Sequence, residues 1–404
     1  MRAIPKNWKN YTFGDIVKFS GGAQPPRSTF LFKPTEGYIR LIQTRDYKSD
    51  KYMTFIPVDK ARKKCIKDDI MIGRYGPPIF QILRGLEGAY NVALLKAIPD
   101  EKKLDKEYLY YFISQYNIWA FIENLSQRSG GQTGVDLEQL RKHSFPLPPL
   151  PEQQKIAEIL STVDAKIEII DQQIAETQEL KKGLMQQLLT KGIGHTEFKD
   201  SALGKIPKSW EVVKLKDVAE YVKDGTHGTH KEVEAGIPLL SAKDIRNGKI
   251  HIPDNCRKLS NDDFNSIHRN FKLMDGDVLL TVVGSIGRIA IIEGYKNNYT
   301  FQRSVGYVRF NNENYPYFFK QFFQSEFFTK QLSLRSNASA QAGVYLGELS
   351  KIPIPVISYN EQKEIAEILT SFDDKLQVLS EKKTTYQELK QGLMQQLLTG
   401  KVRV

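Results

Sequence analysis

The sequence contains two long segments that each recur almost unchanged about half a chain later. EQQKIAEIL at 152–160 returns as EQKEIAEIL at 361–369, and ELKKGLMQQLLTKG at 179–192 returns as ELKQGLMQQLLTGK at 388–401, both offset by 209 residues. A shorter match, IPKNW at 4–8 and IPKSW at 206–210, is offset by 202 residues. Solenoid repeats run only ~20–50 residues. We therefore expect two divergent globular modules, each followed by a similar connector.

Both connectors have the apolar spacing of long amphipathic helices. Apolar residues recur in alternating steps of four and three, which is a heptad pattern, interrupted at Lys181 in the first connector and at Lys383 and Lys390 in the second. A helix of ~40 residues is about 60 Å long, and its apolar stripe needs a partner. We predict that the two helices pair antiparallel, and the alternative is that each folds onto its own module. The predicted helix-pair interface consists of Ile156, Leu160, Val163, Ile167, Ile170, Ile174, Leu184, Leu188, Ile365, Leu369, Phe372, Leu376, Leu379, Tyr386, Leu393 and Leu397.

Helix-end signals flank both connectors. Pro151 and Asn360 are expected to open the helices, and Gly192 and Gly400 to end them. Gly183 and Gly392 lie inside the helices at equivalent positions, where glycine costs roughly 1 kcal/mol relative to alanine. Their recurrence indicates close approach of another backbone, from the other helix or from another subunit, and a tolerated imperfection is the alternative.

The modules combine short strand-like runs with one helical stretch each, at 104–126 and 315–333. The predicted fold class is α+β: two globular domains separated by two long α-helices that form an antiparallel coiled coil, with a pseudo-two-fold internal repeat. The predicted boundaries are 1–150 for the first domain, 151–192 for the first helix, 193–359 for the second domain with its entry linker, and 360–404 for the second helix.

The charge is concentrated in the modules. The chain carries a net charge of +11, and because the connectors 152–191 and 361–401 carry −2 and −1, the other residues carry +14. A basic excess of this kind favours a polyanionic partner, and a basic surface that serves only solubility is the alternative. Two cysteines without a CxxC pattern and no long apolar run lead us to expect a cytoplasmic protein with no membrane partner.

Polar loops of the modules are the candidate sites for contacting a polyanion, and the alternative for any single residue in them is an ordinary solvated role. GRYGPP at 73–78 is aligned with VGSIGR at 283–288, which makes Arg74 and Arg288 candidate contacts beside a glycine turn. A second pair of loops, RSGGQTG at 128–134 and RSNASAQAG at 335–343, precedes the final strand of each module. The full set of candidates is Arg40, Gln43, Arg45, Arg74, Tyr75, Arg128, Gln132, Lys243, Ser285, Arg288, Arg303 and Arg335.

The sequence provides no recognisable catalytic or metal-binding motif. A phosphate-binding loop is missing, and HGTH at 227–230 has neither the spacing of a known zinc site nor a counterpart in the first module. We predict no catalytic residue, no metal site and no cofactor in this chain. A self-contained nuclease or methyltransferase is disfavoured, because neither half contains an FxGxG-like cofactor strand or an (N/D)PP(Y/F) motif.

Taken together, IPKxW at the start of each half, EQxxIAxIL and LKxGLMQQLLT at its end, and a polar loop before PxP resemble the DNA-specificity subunits of type I restriction-modification systems. The resemblance covers essentially the whole chain. It implies that each domain is a target recognition domain for one half of a bipartite, asymmetric DNA sequence, while the paired helices set the gap and dock two modification (methyltransferase) subunits.

The resemblance also implies a larger complex around a non-catalytic chain. The assembly would be a DNA adenine methyltransferase and a type I site-specific endonuclease, whose S-adenosylmethionine, ATP and Mg belong to the modification and restriction subunits. The competing interpretation is a non-catalytic coiled-coil scaffold whose basic modules bind proteins instead of double-stranded DNA.

Overall fold

The computed structural model describes residues 5–126, 134–336 and 343–404 of the 404-residue chain. They form two compact units, one of Met1–Asp171 with Lys382–Val404 and the other of Gln172–Glu381. Each unit therefore contains one globular module, the adjoining part of one long helix and part of the other. The division passes through both helices, so neither module stands apart from them.

The first module is built on two small sheets. One is antiparallel with strand order β2-β9-β6-β7, and the other has order β4-β3-β8-β5 with β3 and β8 parallel. The strands β1 and β10 pair antiparallel and bring the two ends of the module together. The elements are β1 Lys9–Thr12, α1 Phe13–Ile16, β2 Val17–Gly21, β3 Tyr38–Ile42, β4 Phe55–Pro57, β5 Lys64–Cys65, β6 Ile70–Gly73, β7 Ile82–Leu83, β8 Gly88–Tyr90, β9 Leu94–Pro99, α2 Lys106–Ile113, α3 Tyr116–Ser126, α4 Leu137–Lys142 and β10 Ser144–Leu147, with one-turn 3-10 helices at Arg27–Thr29, Thr44–Tyr47, Asp50–Tyr52 and Val58–Lys60. The first long helix, α5, spans Leu150–Lys191.

The second module repeats this plan. Its antiparallel sheet has order β14-β22-β19-β20, its smaller sheet has order β18-β15-β21 with β15 and β21 parallel, and β13 pairs with β23 to close it. The elements are β11 Phe198–Ser201, β12 Gly204–Pro207, β13 Glu211–Lys214, α6 Leu215–Val218, β14 Ala219–Asp224, β15 Ile237–Leu240, β16 Ile245–Arg246, β17 Lys249–Ile250, β18 Lys258–Leu259, α7 Asn261–Ile267, β19 Val278–Thr281, β20 Ile289–Ile291, β21 Thr300–Phe301, β22 Val305–Phe310, α8 Pro316–Phe323, α9 Glu326–Arg335, α10 Leu346–Leu349 and β23 Pro353–Val356, with a 3-10 turn at Ala242–Asp244. The second long helix, α11, spans Tyr359–Leu397.

Two predicted details of the helices need correction. The long helices begin one residue earlier than predicted, at Leu150 and Tyr359, and Ser358 caps the second by accepting the amide of Glu361 at 3.3 Å. The single helical stretch predicted late in each module is two helices. In the second module the break occurs where Ser325 caps α9, its hydroxyl accepting the amide of Phe328.

Ion pairs across α5 and α11 show that the helices run antiparallel. In the first unit, Asp164 pairs with Lys390 at 2.6 Å and Asp171 with Lys383 at 2.5 Å. In the second unit, Lys181 pairs with Asp373 at 2.6 Å. Because 209 residues separate both the two aspartates, 164 and 373, and the two lysines, 181 and 390, one ion pair occurs twice with the helices exchanged. The lysines that interrupt the heptads therefore have partners on the opposite helix.

Each module shares its hydrophobic core with the ends of both long helices. In the first unit the core of Phe13, Phe112 and Phe145 also contains Ile156, Leu160, Leu397 and Leu398, with Leu393 packed against it. In the second unit the core around Trp210 and Phe318 contains Leu188, Leu189, Ile365 and Leu369, with Leu184 packed against it. Apart from Leu189 and Leu398, which were not predicted, these helix residues are predicted interface residues, and they pack against a module as well. The remaining ones lie between the ends: Val163, Ile170 and Leu379 are buried, while Ile167, Ile174, Phe372, Leu376 and Tyr386 are half-buried.

The repeated Glu-Gln pair fastens the start of each helix to its module. Gln153 and Gln362 are fully buried and bond to backbone on both sides: Gln153 accepts the amide of Asp105 and donates to the carbonyls of Lys103 and Pro148. Gln362 likewise accepts the amide of Tyr315 at 2.7 Å and donates to the carbonyl of Ile357 at 3.0 Å.

The glutamate of each pair bonds to the segment that follows the C-terminal end of the other long helix. Glu361 accepts from the backbone amide of Ile193 at 3.0 Å and Nε1 of Trp210 at 3.2 Å, and it bonds to His195 Nε2 at 2.8 Å. Glu152 instead pairs with Arg403, whose guanidinium also lies 5.9 Å from the Trp8 ring. The three repeated motifs therefore meet at one junction in each unit.

Candidate nucleic-acid interface

A one-turn 3-10 helix capped by an aspartate recurs in both modules. Asp46 accepts the amide of Gln43 at 2.9 Å, and Asp244 accepts the amide of Ser241 at 2.8 Å. Both aspartates are only 3% exposed, and burial raises the pKa of Asp46 against the opposing effect of the Gln43 hydrogen bond. An exposed basic residue directly precedes the aspartate, Arg45 in the first module and Lys243 in the second. Each capped turn thus holds a basic side chain that faces solvent.

The first module surrounds this turn with further basic side chains. Tyr52 is 58% exposed, and the cations of Arg45 and Lys51 lie 5.8 and 5.3 Å from its ring. An exposed ring flanked by cations fits stacking and phosphate contact. Lys51 and Tyr52 were not among the candidates from the sequence, although KSDKY at 48–52 closely follows the candidate Arg45. The exposed basic residues of the turn and of the segment that follows it are Arg45, Lys48 and Lys51.

In the second module the turn leads directly into a short hairpin. Strands β16 and β17 are joined through Asn247 and Gly248, whose φ values of 51° and 73° are those of a tight turn. Arg246 donates from Nε to the carbonyl of Lys243 at 2.6 Å, and Lys249 bonds to the side chain of Gln377 on α11. Lys243, Arg246 and Lys249 are exposed, so the hairpin is also basic.

Two candidates of the first module support the turn from within. Arg40 pairs with Asp50 at 2.7 Å, its side chain is 17% exposed, and its Nε is buried without a hydrogen-bond partner. Gln43 donates from Nε2 to the hydroxyl of Thr54 at 3.2 Å. These contacts orient both side chains toward the protein.

Arg74 and Tyr75 lie on the segment that follows β6. The Arg74 guanidinium lies 5.1 Å from the Tyr75 ring, and Tyr75 is 39% exposed. Tyr75 pairs with Gly134, where an added Cβ would come within 3.2 Å of the ring. In the second module the corresponding pairing joins Val283 and Gly343.

This pairing changes the residue correspondence between the two turns, which the sequence aligned as 73–78 with 283–288. Arg74 accepts the amide of Val135 as Val282 accepts that of Val344, so Val282 is the counterpart of Arg74. Arg288 instead matches Gln81, because Thr281 donates to the Arg288 carbonyl as Gly73 donates to that of Gln81. The turn is one residue longer in the first module, so 73–78 and 283–288 do not match position by position, although Gly76 and Gly284, with φ values of 92° and 80°, do correspond.

The remaining candidates have different settings. Ser285 and Arg303 are exposed, whereas Arg335, in the last turn of α9, donates to the carbonyl of Gln331 in its own helix. Arg128 and Gln132 lie outside the described residues. In the HGTH segment His230 bonds to Thr226 and Asp263, and His227 to Asp224. The described part of the chain contains no group of three or more His, Cys, Asp or Glu side chains placed to hold a metal ion.

The outer face of the paired helices carries apolar residues at equivalent positions. Ile169 and Val378 are 49% and 61% exposed, and Leu180 and Leu389 are 55% and 47% exposed. Gly183 and Gly392 follow three residues later, and outside the backbone of its own helix an added Cβ on either would meet no heavy atom of the described chain within 4 Å. Close approach of the partner helix therefore does not explain these glycines. Within the described ranges, we find no helix with the length and hydropathy needed to cross a membrane.

Comparisons with known proteins agree with this architecture. The family model described as type I restriction modification DNA specificity domain matches residues 5–179 and 207–391. The type I restriction enzyme MjaVIII specificity subunit of Methanocaldococcus jannaschii is 30% identical, over 99% of this chain and 94% of that protein. The EcoBI specificity subunit of Escherichia coli is 23% identical, over 90% and 78%.

The solved structures support the fold. The crystal structure of the type I restriction-modification S subunit from M. genitalium has a TM-score of 0.59 at 16% identity, covering 98% of this chain and 97% of that one. A chain from a structural study of type I system assembly has a TM-score of 0.55 at 16% identity, with full coverage of both. The repeated modules, the paired helices and the family match together show that the chain belongs to the DNA-specificity subunits of type I restriction-modification systems.

Proposed function

We propose that each module reads one half of a bipartite DNA target with the surface around its aspartate-capped turn. The observation that carries this proposal is that the same turn presents a basic side chain in both modules, Arg45 in one and Lys243 in the other. Basic residues and an exposed tyrosine around the first turn, and a basic hairpin after the second, supply contacts to phosphates and base edges. Their difference in sequence fits two different half-sites.

Substituting the two turn cations tests this surface. After the target has been identified by methylome sequencing, we would measure binding of the complex carrying Arg45→Met or Lys243→Met to the target duplex. Each variant is expected to lose ~1–3 kcal/mol if its cation contacts a base, or to reduce the salt slope by about one if it contacts a phosphate. The base-contact effect should be confined to one half-site.

Lys199→Met is the matched control, since Lys199 is an exposed lysine on the β11–β12 hairpin, remote in sequence from both turns. It removes the same charge and should leave half-site preference and salt slope unchanged. If the two turn variants bind like the wild type, the turns do not belong to the DNA interface.

We further propose that α5 and α11 dock two modification subunits and set the gap between the half-sites. Supporting this, each helix presents an outward apolar residue followed by glycine, Leu180 with Gly183 and Leu389 with Gly392. Two equivalent surfaces suit two copies of one partner. The complex would act in the cytoplasm as an adenine methyltransferase and, with restriction subunits, as an endonuclease. S-adenosylmethionine, ATP and Mg would be bound by those partners.

Leu180→Asp and Leu389→Asp separate the two proposed docking surfaces. Each single variant should reduce the number of modification subunits bound per chain from two to one, and the double variant should bind none, as measured by light scattering. Unaltered binding by the double variant would place the docking surface elsewhere. Methyl transfer by the purified chain with S-adenosylmethionine alone would contradict a non-catalytic role.

A further inference from the structure

Arg288 holds the turn that presents Lys243. Its Nη1 donates to the carbonyl of Ala242 at 3.2 Å and to that of Ile245 at 3.3 Å. These carbonyls lie at the two ends of the 3-10 turn, immediately before the basic hairpin. One guanidinium nitrogen therefore links the strand after the glycine turn to the start of the hairpin.

The backbone of Arg288 is fixed independently of its side chain. Its amide donates to the hydroxyl of Thr281 at 2.9 Å, and its carbonyl accepts the amide of Thr281 at 2.9 Å. Gly287, before it, has a φ of 88° and returns its amide to the Thr281 carbonyl. We call the contact of the Arg288 side chain with the 3-10 turn the latch. The latch is thus anchored at the end of β19, a strand whose four residues are all buried.

A second side chain holds the same turn from another strand connection. The hydroxyl of Ser304 accepts the amide of Ala242 at 3.1 Å, while Asp244 caps the turn from within. In the first module, Gln81 occupies the position of Arg288, but its Nε2 donates to the carbonyl of Pro78 in its own loop. The latch is therefore a feature of the second module.

We propose that Arg288 is a positioning residue for reading the second half-site, acting through the backbone of residues 242–245 instead of through DNA. This rests on the proposed function of the turn. A side chain that holds two carbonyls fixes the direction of Lys243 and Arg246, and a small displacement of such groups alters base contacts. The sequence alone suggested a direct DNA contact for Arg288, and the two roles make different predictions.

The test uses Arg288→Ala and Ser304→Ala in the full chain with modification subunits. Binding is measured with the target duplex across a salt series, and base preference with duplex pools randomised in one half-site at a time. Both variants should lose about 5- to 150-fold of base discrimination in the second half-site, the range for one good base contact. Both should keep the wild-type salt slope and the first half-site.

Ser304→Ala changes no charge, so a shared phenotype identifies loss of the latch. Arg288→Lys keeps the charge and a donor and should restore part of the discrimination, and Gln81→Ala should leave both half-sites unchanged. Unchanged base discrimination at the first half-site, together with a thermal unfolding midpoint like that of the wild type, verifies that the variants fold. A salt slope reduced by about one in Arg288→Ala, with base preference intact, would show a phosphate contact and overturn the positioning role.

Lys243→Met separates this inference from the proposed function. If Lys243→Met alters the second half-site while Arg288→Ala and Ser304→Ala do not, positioning fails and the proposed interface stands. If Lys243→Met has no effect either, the turn is not part of the interface and both proposals fail.

Discussion

Replacing the helical glycines should make the free chain more stable and the complex weaker. Gly183 and Gly392 each lie inside a long helix, and alanine in such a position is favoured by roughly 1 kcal/mol. A Cβ at either site meets no heavy atom of the described chain within 4 Å, so no steric cost offsets this gain. Gly183→Ala and Gly392→Ala should therefore each add ~1 kcal/mol to the free energy of unfolding.

The same methyl groups would protrude from the surface proposed for the modification subunits. If a partner backbone approaches there, Gly183→Ala should weaken one of two binding events, and Gly183→Leu should abolish it. Unfolding of the free chain in urea and titration with modification subunits by calorimetry measure the two effects. Stabilised chains that bind two subunits with wild-type affinity would refute the reasoning, since the glycines would then be tolerated imperfections.

Three further expectations follow from buried polar groups. Glu361→Ala should destabilise the chain in urea unfolding by about 2–4 kcal/mol because it leaves the amide of Ile193 without its acceptor, whereas Glu152→Ala, whose partner Arg403 is exposed, should cost less. Asp373→Ala leaves the 8%-exposed Lys181 unpaired and should cost about 1–3 kcal/mol, and adding Lys181→Met should recover part of that loss in a double-mutant cycle. Burial lowers the pKa of His268 below its ordinary 6.5, so the unfolded chain takes up the proton more readily and stability should fall as pH drops below about 6.5 toward the folded pKa; His268→Gln should flatten this dependence in urea midpoints measured at pH 7.5 and about pH 5.

The architecture could be predicted from the sequence because both ends of the first long helix recur almost unchanged in the second. A repeat of 209 residues with heptad spacing is independent of the contacts inside the modules. The lysines at heptad positions were interruptions in the sequence, and only the antiparallel register shows that Lys181 faces Asp373 and Lys390 faces Asp164. Register is a property of two segments together, so one segment alone does not reveal it.

The candidate site was harder to predict because its geometry depends on hydrogen bonds between distant loops. The equivalence of the turns at Arg45 and Lys243 was visible, since QTRD and SAKD share an aspartate at one spacing. The partners of Arg288 were not, because Ala242 and Ile245 lie more than 40 residues away and contribute only backbone carbonyls. Every residue has a backbone carbonyl, so the residue types do not show which carbonyl accepts the hydrogen bond.

The positions of the repeated residues explain how divergent modules and constant helices coexist. Ile156 and Leu160 recur as Ile365 and Leu369, and Leu188 and Leu189 recur as Leu397 and Leu398, and all eight are buried in a module core. Each module therefore packs on the same apolar surface of the helix ends. The equivalent buried glutamine, Gln153 or Gln362, adds hydrogen bonds to the module backbone. A change in the loops that we propose to read DNA leaves this apolar surface untouched, whereas a change in the surface disturbs a core. The residues that have to stay alike in the two halves are therefore those at the helix ends, and the modules can differ elsewhere.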